Sequence, residues 1–496
     1  MFRPLRLPSA AFFTLALAAL VTSPARAQLS APAPAPLTLE ECVARALNQN
    51  FDLQLQQFAT QNALDSVITA DAGFDPTLFS SVSAAGARDS TVTPTRNTRD
   101  QAATLGVSQL LASGATATVS TALDRSKESP FVAPPRFNPV YTSDLALSVK
   151  QPLLPGFGVT ITRAALEKSR LGVTRAQYDF KDAVLTVIRN VESAYYLLAF
   201  TREQLAVRKL SLTVAQTLFA ENQIRQRTGV ATSLDVLQAE VGVANARRDL
   251  LLAEQAVSDR EDALLNLIGR FANAQRPGPV RLSEEPAPTV SFDQSYALAL
   301  ANAPELASNQ LLAEQLKLDL AVAKNNRLPT LDLGAAVGLN GDDRRNAASA
   351  LNSSASGDSY DWQVDLTLSI PWGLRAERAK YRQARTNLTR QETAIAKLDQ
   401  ALLVDVRAAV RAVDTNRETV TVSVLATELS RKQFEAEKAR YEAGRSTYRF
   451  VEDARRDYDT ARVNELLARV NLRIAAAELS RLEGSSLTRY QVKLEK

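Results

Sequence analysis

Histidine is absent from this 496-residue chain, and cysteine occurs once, as Cys42. A Ser-His-Asp triad, a metal centre built from histidine or cysteine and an intrachain disulfide are therefore excluded within one chain. A carboxylate-only ion site stays open, but no clustered motif supports one. No metal or cofactor is expected. With no catalytic constellation in view, the chain does not read as an enzyme. Basic excess is lacking too. The sequence carries 58 basic and 54 acidic residues, and positions 1–27 hold three of the arginines and no acid, which leaves 55 against 54. Nucleic acid is not an expected partner.

Long apolar runs are also missing. Ala10 to Val21 gives twelve residues, too few to span a bilayer. Arg3 and Arg6 precede this run and Ala25-Arg-Ala27 follows it, so residues 1–27 read as a secretory signal peptide. No later stretch approaches the length of a transmembrane helix. Residues 28–37 form an Ala/Pro-rich extended lead.

Proline is absent from positions 156–276 and again after Pro371. Proline clashes within a helix and removes a donor, so these stretches permit very long helices. The first carries a heptad column, Val184, Val191, Leu198, Leu205, Leu212 and Phe219, followed by Gly229. Thr232, Ser233, Leu234 and Asp235 then read as a capping box, and Val236, Val243, Leu250, Val257 and Leu264 form a return column. The second stretch repeats the device. Val406, Val413, Val420, Thr427, Phe434 and Tyr441 step toward Gly444, Ser446 and Thr447, at a constant offset of 215 from the first hairpin. Hairpins are predicted over about 161–269 and 374–483, each a rod of roughly 100 Å with a tight tip.

Between the helical stretches the period changes to two. Leu145, Leu147 and Val149 alternate with Asp144, Ala146, Ser148 and Lys150, and Trp362, Val364, Leu366 and Leu368 with Gln363, Asp365 and Thr367. Apolar residues on one face with small polar ones on the other suit a strand with lipid or core on one side and water on the other. Strands are predicted over about 77–150 and 330–370, with a turn at Ser113-Gly114 and a polar loop over 125–138. Residues 38–71 and 292–327 are predicted as single helices. The organisation is then two repeats, 38–271 and 291–490, joined by a linker at 272–290.

Several stretches resemble the TolC-like outer-membrane efflux proteins: Leu37-Thr-Leu-Glu-Glu41 with Ala46-Leu47, Gln151-Pro-Leu-Leu-Pro-Gly-Phe-Gly158, Gly229 with Leu234-Asp-Val-Leu-Gln-Ala239, and Tyr441-Glu-Ala-Gly444. The resemblance covers nearly all of residues 37–490. It implies a mixed α and β fold, internally duplicated, whose helical hairpins form a periplasmic α-barrel and whose amphipathic strands share a β-barrel in the outer membrane of a Gram-negative-type bacterium. It further implies a homotrimer that contacts outer-membrane lipid, a periplasmic adaptor and an inner-membrane pump. Such a trimer serves tripartite efflux or type I secretion as a passive conduit. An exported coiled-coil scaffold without a pore is the alternative, and it leaves the alternating strands without a role.

By the same resemblance, Asp235 and Tyr441 match the family's periplasmic latch, and Asp453 matches an aspartate of its selectivity ring. Ser446 stands where the latch arginine is expected, and Phe450 replaces the second ring acid. The tip turns, Gly229 through Leu234 and Gly444 through Thr447, match the region where adaptors dock. Each residue also has a plainer reading: Asp235 as a helix cap, Tyr441 as a seam residue, Asp453 as a solvated acid, and the glycines as turn formers. One feature departs from the family. The first strand segment exceeds the second by 34 residues, about one hairpin, around residues 102–123. Within the barrel it would give a trimer 18 strands in place of the usual 12; it could instead fold outside the wall.

Overall fold

Two helices run without interruption for most of the molecule's length, and everything else is laid along or between them. In the computed structural model, residues 37–92, 94–130, 138–269, 276–280, 289–343 and 346–492 are described. The expected signal peptide, residues 28–36 of the lead and most of the expected linker lie outside them. The elements are α1 (Leu39–Gln49), α2 (Phe51–Asp71), β1 (Thr77–Asp89), β2 (Arg96–Leu110), β3 (Thr116–Ser129), β4 (Val140–Pro152), α3 (Val159–Thr162), α4 (Ala164–Arg227) and α5 (Ser233–Ile268). Then follow α6 (Phe292–Asn302), α7 (Pro304–Asn325), β5 (Thr330–Asp343), α8 (Ala347–Ser356), β6 (Tyr360–Ser369), α9 (Arg375–Glu442), α10 (Tyr448–Glu483) and α11 (Ser485–Arg489).

The 64 residues of α4 and 68 of α9 each span roughly 100 Å at about 1.5 Å per residue. Their returns, α5 and α10, are about half as long, with 36 residues each. The heptad columns face inward as expected: Val184, Val191, Leu198, Val406 and Val413 are buried. The expected single helices over 38–71 and 292–327 are both broken. Asn50 is extended, and its Oδ1 accepts from Asp52 N at 2.9 Å and Leu53 N at 3.1 Å, restarting the helix as α2. Pro304 begins α7, and its ring keeps Ala303 out of the helical region. The longer segments, α2 and α7, pack along the continuous helices, α2 on α4 and α7 on both α4 and α9. The shorter α1 and α6 lie beside the ends of those returns. Asn50 Nδ2 donates to Leu267 O at 2.9 Å, and Asn302 Nδ2 donates to Glu483 O at 3.0 Å, so both breaks are pinned to the helix end they meet. The main apolar core gathers there, with Cys42, Val43, Ile188, Val191 and Leu264 fully buried.

One antiparallel sheet collects all six strands in chain order, β1-β2-β3-β4-β5-β6. The hairpin whose place was open in the sequence is therefore part of this sheet. Of the polar loop expected over 125–138, residues 125–129 are strand, because β3 runs to Ser129, and residues 131–137 lie outside the described ones. Cross-strand polar pairs carry the extension: Arg125 to Gln101 at 2.9 Å, Ser126 to Asp100 at 2.6 Å, and Arg96 to Glu128 at 2.8 Å. Helix α8 was not expected either. It lies across β4 and β5, where the Ser143 hydroxyl donates to Ala350 O at 2.7 Å. No described helix is long and apolar enough to cross a membrane.

The helical tips as candidate functional site

Opposite the sheet, each hairpin turns within five residues. Both turns use the same backbone wiring. Gly229 N donates to Gln226 O at 3.0 Å and Val230 N to Arg225 O at 2.8 Å; Gly444 N donates to Tyr441 O at 3.0 Å and Arg445 N to Arg440 O at 2.8 Å. This is the paired closure that needs a left-handed residue after the helix, and the two glycines take φ of 78° and 74°.

The two return helices start differently. Thr232 opens α5 with a complete capping box: its hydroxyl accepts from Asp235 N at 3.2 Å, and Asp235 Oδ2 accepts from Thr232 N at 2.9 Å. Thr447 opens α10 without a side-chain cap. Its third residue is Phe450, exposed at the tip, where the first hairpin has Asp235. Ser446, in the place expected for the latch arginine, hydrogen-bonds Glu437 within its own hairpin.

Tyr441 and Asp235 are not hydrogen-bonded to each other. Tyr441 is buried between the hairpins, and its hydroxyl donates to Asn222 Oδ1 at 2.8 Å. The Arg225 guanidinium lies over its ring at 4.1 Å and donates to its carbonyl at 3.2 Å. Burial raises the Tyr441 phenol above its ordinary value, against the opposing charge of Arg225. Asp453 lies one turn further along α10, exposed, with Arg449 at 3.8 Å. Leu234 is exposed beside the first turn.

Sequence reasoning missed the strongest polar cluster in the region. Glu452 and Arg455 are each 6% exposed. Arg455 donates to Glu452 at 2.8 and 2.9 Å, to Asp459 at 2.7 Å and to Ser211 of α4. Ser211 donates to Asp459 at 2.8 Å, and Arg456 donates to Glu452 at 2.9 Å. The network thus ties α10 of one hairpin to α4 of the other. Burial penalises the Glu452 carboxylate, but the two arginines outweigh it and hold its pKa below the usual range. Asp459 goes the other way: burial raises it, and Ser211 and Arg455 offset only part of that. Tyr448, buried beside Glu452, is pushed up to about 12, chiefly by burial. The spacing of Glu452, Arg455 and Asp459 is that of helical ion pairs. Those pairs are usually solvated, so the spacing alone gave no sign of burial.

A rod with tight polar tips at one end and an amphipathic sheet at the other matches a known family. The family model for outer membrane efflux proteins matches residues 116–270 and 295–485, well over half of the chain. The chain belongs to the outer membrane efflux protein family. This efflux-family chain is 25% identical over 283 residues to the pyoverdine export outer membrane protein OpmQ of Pseudomonas aeruginosa, 56% of this chain and 54% of that protein. The OpmQ of Pseudomonas putida is 26% identical over 176 residues, 36% of this chain and 37% of that protein. The chain thus aligns with about half the length of these curated relatives, or less. In fold it is similar to the outer-membrane channel OprN, with a TM-score of 0.69 at 18% identity over 90% of this chain and 89% of that one. The Campylobacter jejuni CmeC outer membrane channel gives 0.67 at 17% identity, over 92% and 90%. Like its relatives, this efflux-family protein is an outer-membrane protein that extends into the periplasm.

Proposed function

We propose that three copies of this chain form a passive export channel, taking substrates delivered by an inner-membrane pump through a periplasmic adaptor and across the outer membrane. The observation that carries the reading is the polarity of the rod. Its sheet presents large apolar residues to one side and small polar ones to the other, with β1 and β6 unpaired at the edges among the described residues. A sheet with a lipid face and open edges is completed by copies of itself. Long helices with buried seams extend from that sheet far enough to bridge a periplasmic space. The export role follows the names of the curated relatives.

Within this reading, Asp235 and Tyr441 stand at the closed periplasmic mouth, and Asp453 lines it. Three Asp453 carboxylates around a narrow opening would favour cations. The exposed tip turns, Gly229 to Leu234 and Gly444 to Thr447, are the docking surface for the adaptor. A scaffold without a pore would use the rods but leave the apolar sheet face without a partner. The test is outer-membrane fractionation with heat-modifiable migration, joined to ion selectivity of wild type and Asp453→Ala. The proposal expects a heat-labile trimer in the outer-membrane fraction whose cation preference weakens in the variant. A soluble monomer would reject the channel; a trimer with unchanged selectivity would remove Asp453 from its mouth.

A further inference from the structure

The first sheet segment is longer than the second by one hairpin, and that hairpin is built like the rest of the wall. Pro76 and Pro152 stand 76 positions apart and Pro329 and Pro371 stand 42 apart, an excess of 34. Residues 96–129, which are β2, its turn and β3, occupy that length. The register then decides what the hairpin is for. Leu78, Val107, Val119, Leu147, Val337 and Trp362 stand side by side across the six strands. All six are large, apolar and exposed. The row beside it on the other face is Thr77, Ser108, Thr118, Ser148, Ala336 and Gln363. Both rows cross β2 and β3 without a change of character. A hairpin lying in the lumen or outside the wall would have no reason to keep lipid-type residues in register with β1 and β4.

Its turn is also fixed to the rim of the sheet. Gly158 N donates to Ser113 O at 3.1 Å, and the Ser113 hydroxyl donates to Gln151 Oε1 at 3.1 Å. A Cβ on Gly114 would stand 2.2 Å from Gly156 O, so only glycine lets the turn seat against the strand–helix junction.

We infer that the outer-membrane wall is an 18-stranded barrel, three copies of a six-stranded sheet, closed by β6 of each copy pairing with β1 of the next. This rests on the trimeric reading above. The two edge strands are exposed along their whole lengths. The apolar row ends on Leu78 at one edge and Trp362 at the other, both exposed, so edge pairing would carry the apolar face on around the wall, with the stagger that barrel closure requires. Six alternating strands leave β1 and β6 running in opposite directions, so the junction is antiparallel like every other pair in the sheet. Diameter grows about linearly with strand number, so the wall is roughly 1.5-fold wider than the twelve strands a trimer would have without β2 and β3. The β2–β3 turn leads into no helix of its own, so the added width is confined to the sheet. Selection by size then falls on the helical tips.

The test uses the full-length trimer in lipid vesicles, with Cys42→Ala as the background and spin labels on single cysteines introduced as Val107→Cys, Ser108→Cys, Thr118→Cys and Val119→Cys. Labels at 107 and 119 are expected to respond to oxygen dissolved in the lipid, and those at 108 and 118 to an aqueous nickel chelate. Electron microscopy of the unlabelled trimer is expected to show 18 strands. Trimers with twelve wall strands, or four labels that all face water, would overturn the inference and leave the conduit standing. Failure to form a membrane-inserted trimer at all would overturn both, and the migration of the unlabelled protein identifies that case.

Discussion

Replacing Arg455 with methionine should be the most damaging single change near the tips. Arg455 is 6% exposed, and its guanidinium serves Glu452, Asp459 and Ser211 at once. Methionine fills much of the same volume but leaves both carboxylates short of their main partner. Breaking one side of a buried ion pair costs about 3–5 kcal/mol. The lower end applies here, because Arg456 still reaches Glu452 and Ser211 still reaches Asp459. A loss of about 3 kcal/mol is therefore expected, concentrated where α10 packs on α4. Hydrogen exchange in the first turns of α10 and thermal unfolding would measure it. The pH dependence has a definite sign. In the wild type, the lowered Glu452 pKa gives stability that is present above its unfolded value and lost as pH falls through its folded value. Without Arg455, burial raises the folded pKa of both acids. The deficit of Arg455→Met should therefore shrink as pH drops through those raised values and the acids protonate. The triple variant Arg455→Met, Glu452→Gln, Asp459→Asn removes the stranded charge and should recover most of the loss. A single-variant cost below about 1 kcal/mol, or a triple variant no better than the single, would refute the argument.

Three further outcomes are expected. Glu192→Gln should raise the thermal midpoint at neutral pH: Glu192 is buried with Oε2 unpartnered, only Oε1 accepts from the Tyr490 hydroxyl at 2.6 Å, and burial raises its pKa. Its charged form costs stability as pH rises through that raised value, so the gain should fade toward acid; an equal gain at all pH values would contradict this. Leu147→Arg should abolish stable insertion, at a cost of about 2–4 kcal/mol near the bilayer midplane, while Ser148→Arg on the opposite face inserts and shifts ion selectivity; equal assembly of the two, read by trimer yield, would reverse the assigned faces. Asp235→Ala should cost about 1 kcal/mol through loss of the capping box, seen as faster exchange at the start of α5, and no change there would mean that the box is not formed in solution.

What the sequence disclosed was whatever repeats or stops. The heptad columns, the glycines at 229 and 444 and the proline-bounded alternation each follow from backbone geometry, and each was legible. Pro304 also marked a helix break, but the apolar period running across it concealed the stop. Asn50 concealed the matching break, since an asparagine is an interior residue or a cap depending on what it meets, here Leu267 O. Helix α8 carries mostly alanine and serine, so it has no apolar period; it packs through close approach of Ala350 and Ser354 to the sheet. The extension of β3 was hidden because its cross-strand polar pairs resemble a loop in composition. At the site, the turns and the capping box could be read locally. The Tyr441–Asn222 bond and the Ser211–Arg455 link join residues more than 200 positions apart, and no local pattern reports them.

The central claim is that this chain makes a conducting path, and single-channel recording of the purified protein in a planar bilayer tests it most directly. Discrete openings are predicted, rare while the tips are closed and more frequent when the network between α4 and α10 is broken by Arg455→Met. Silence from both proteins, with insertion of each verified, would contradict the account.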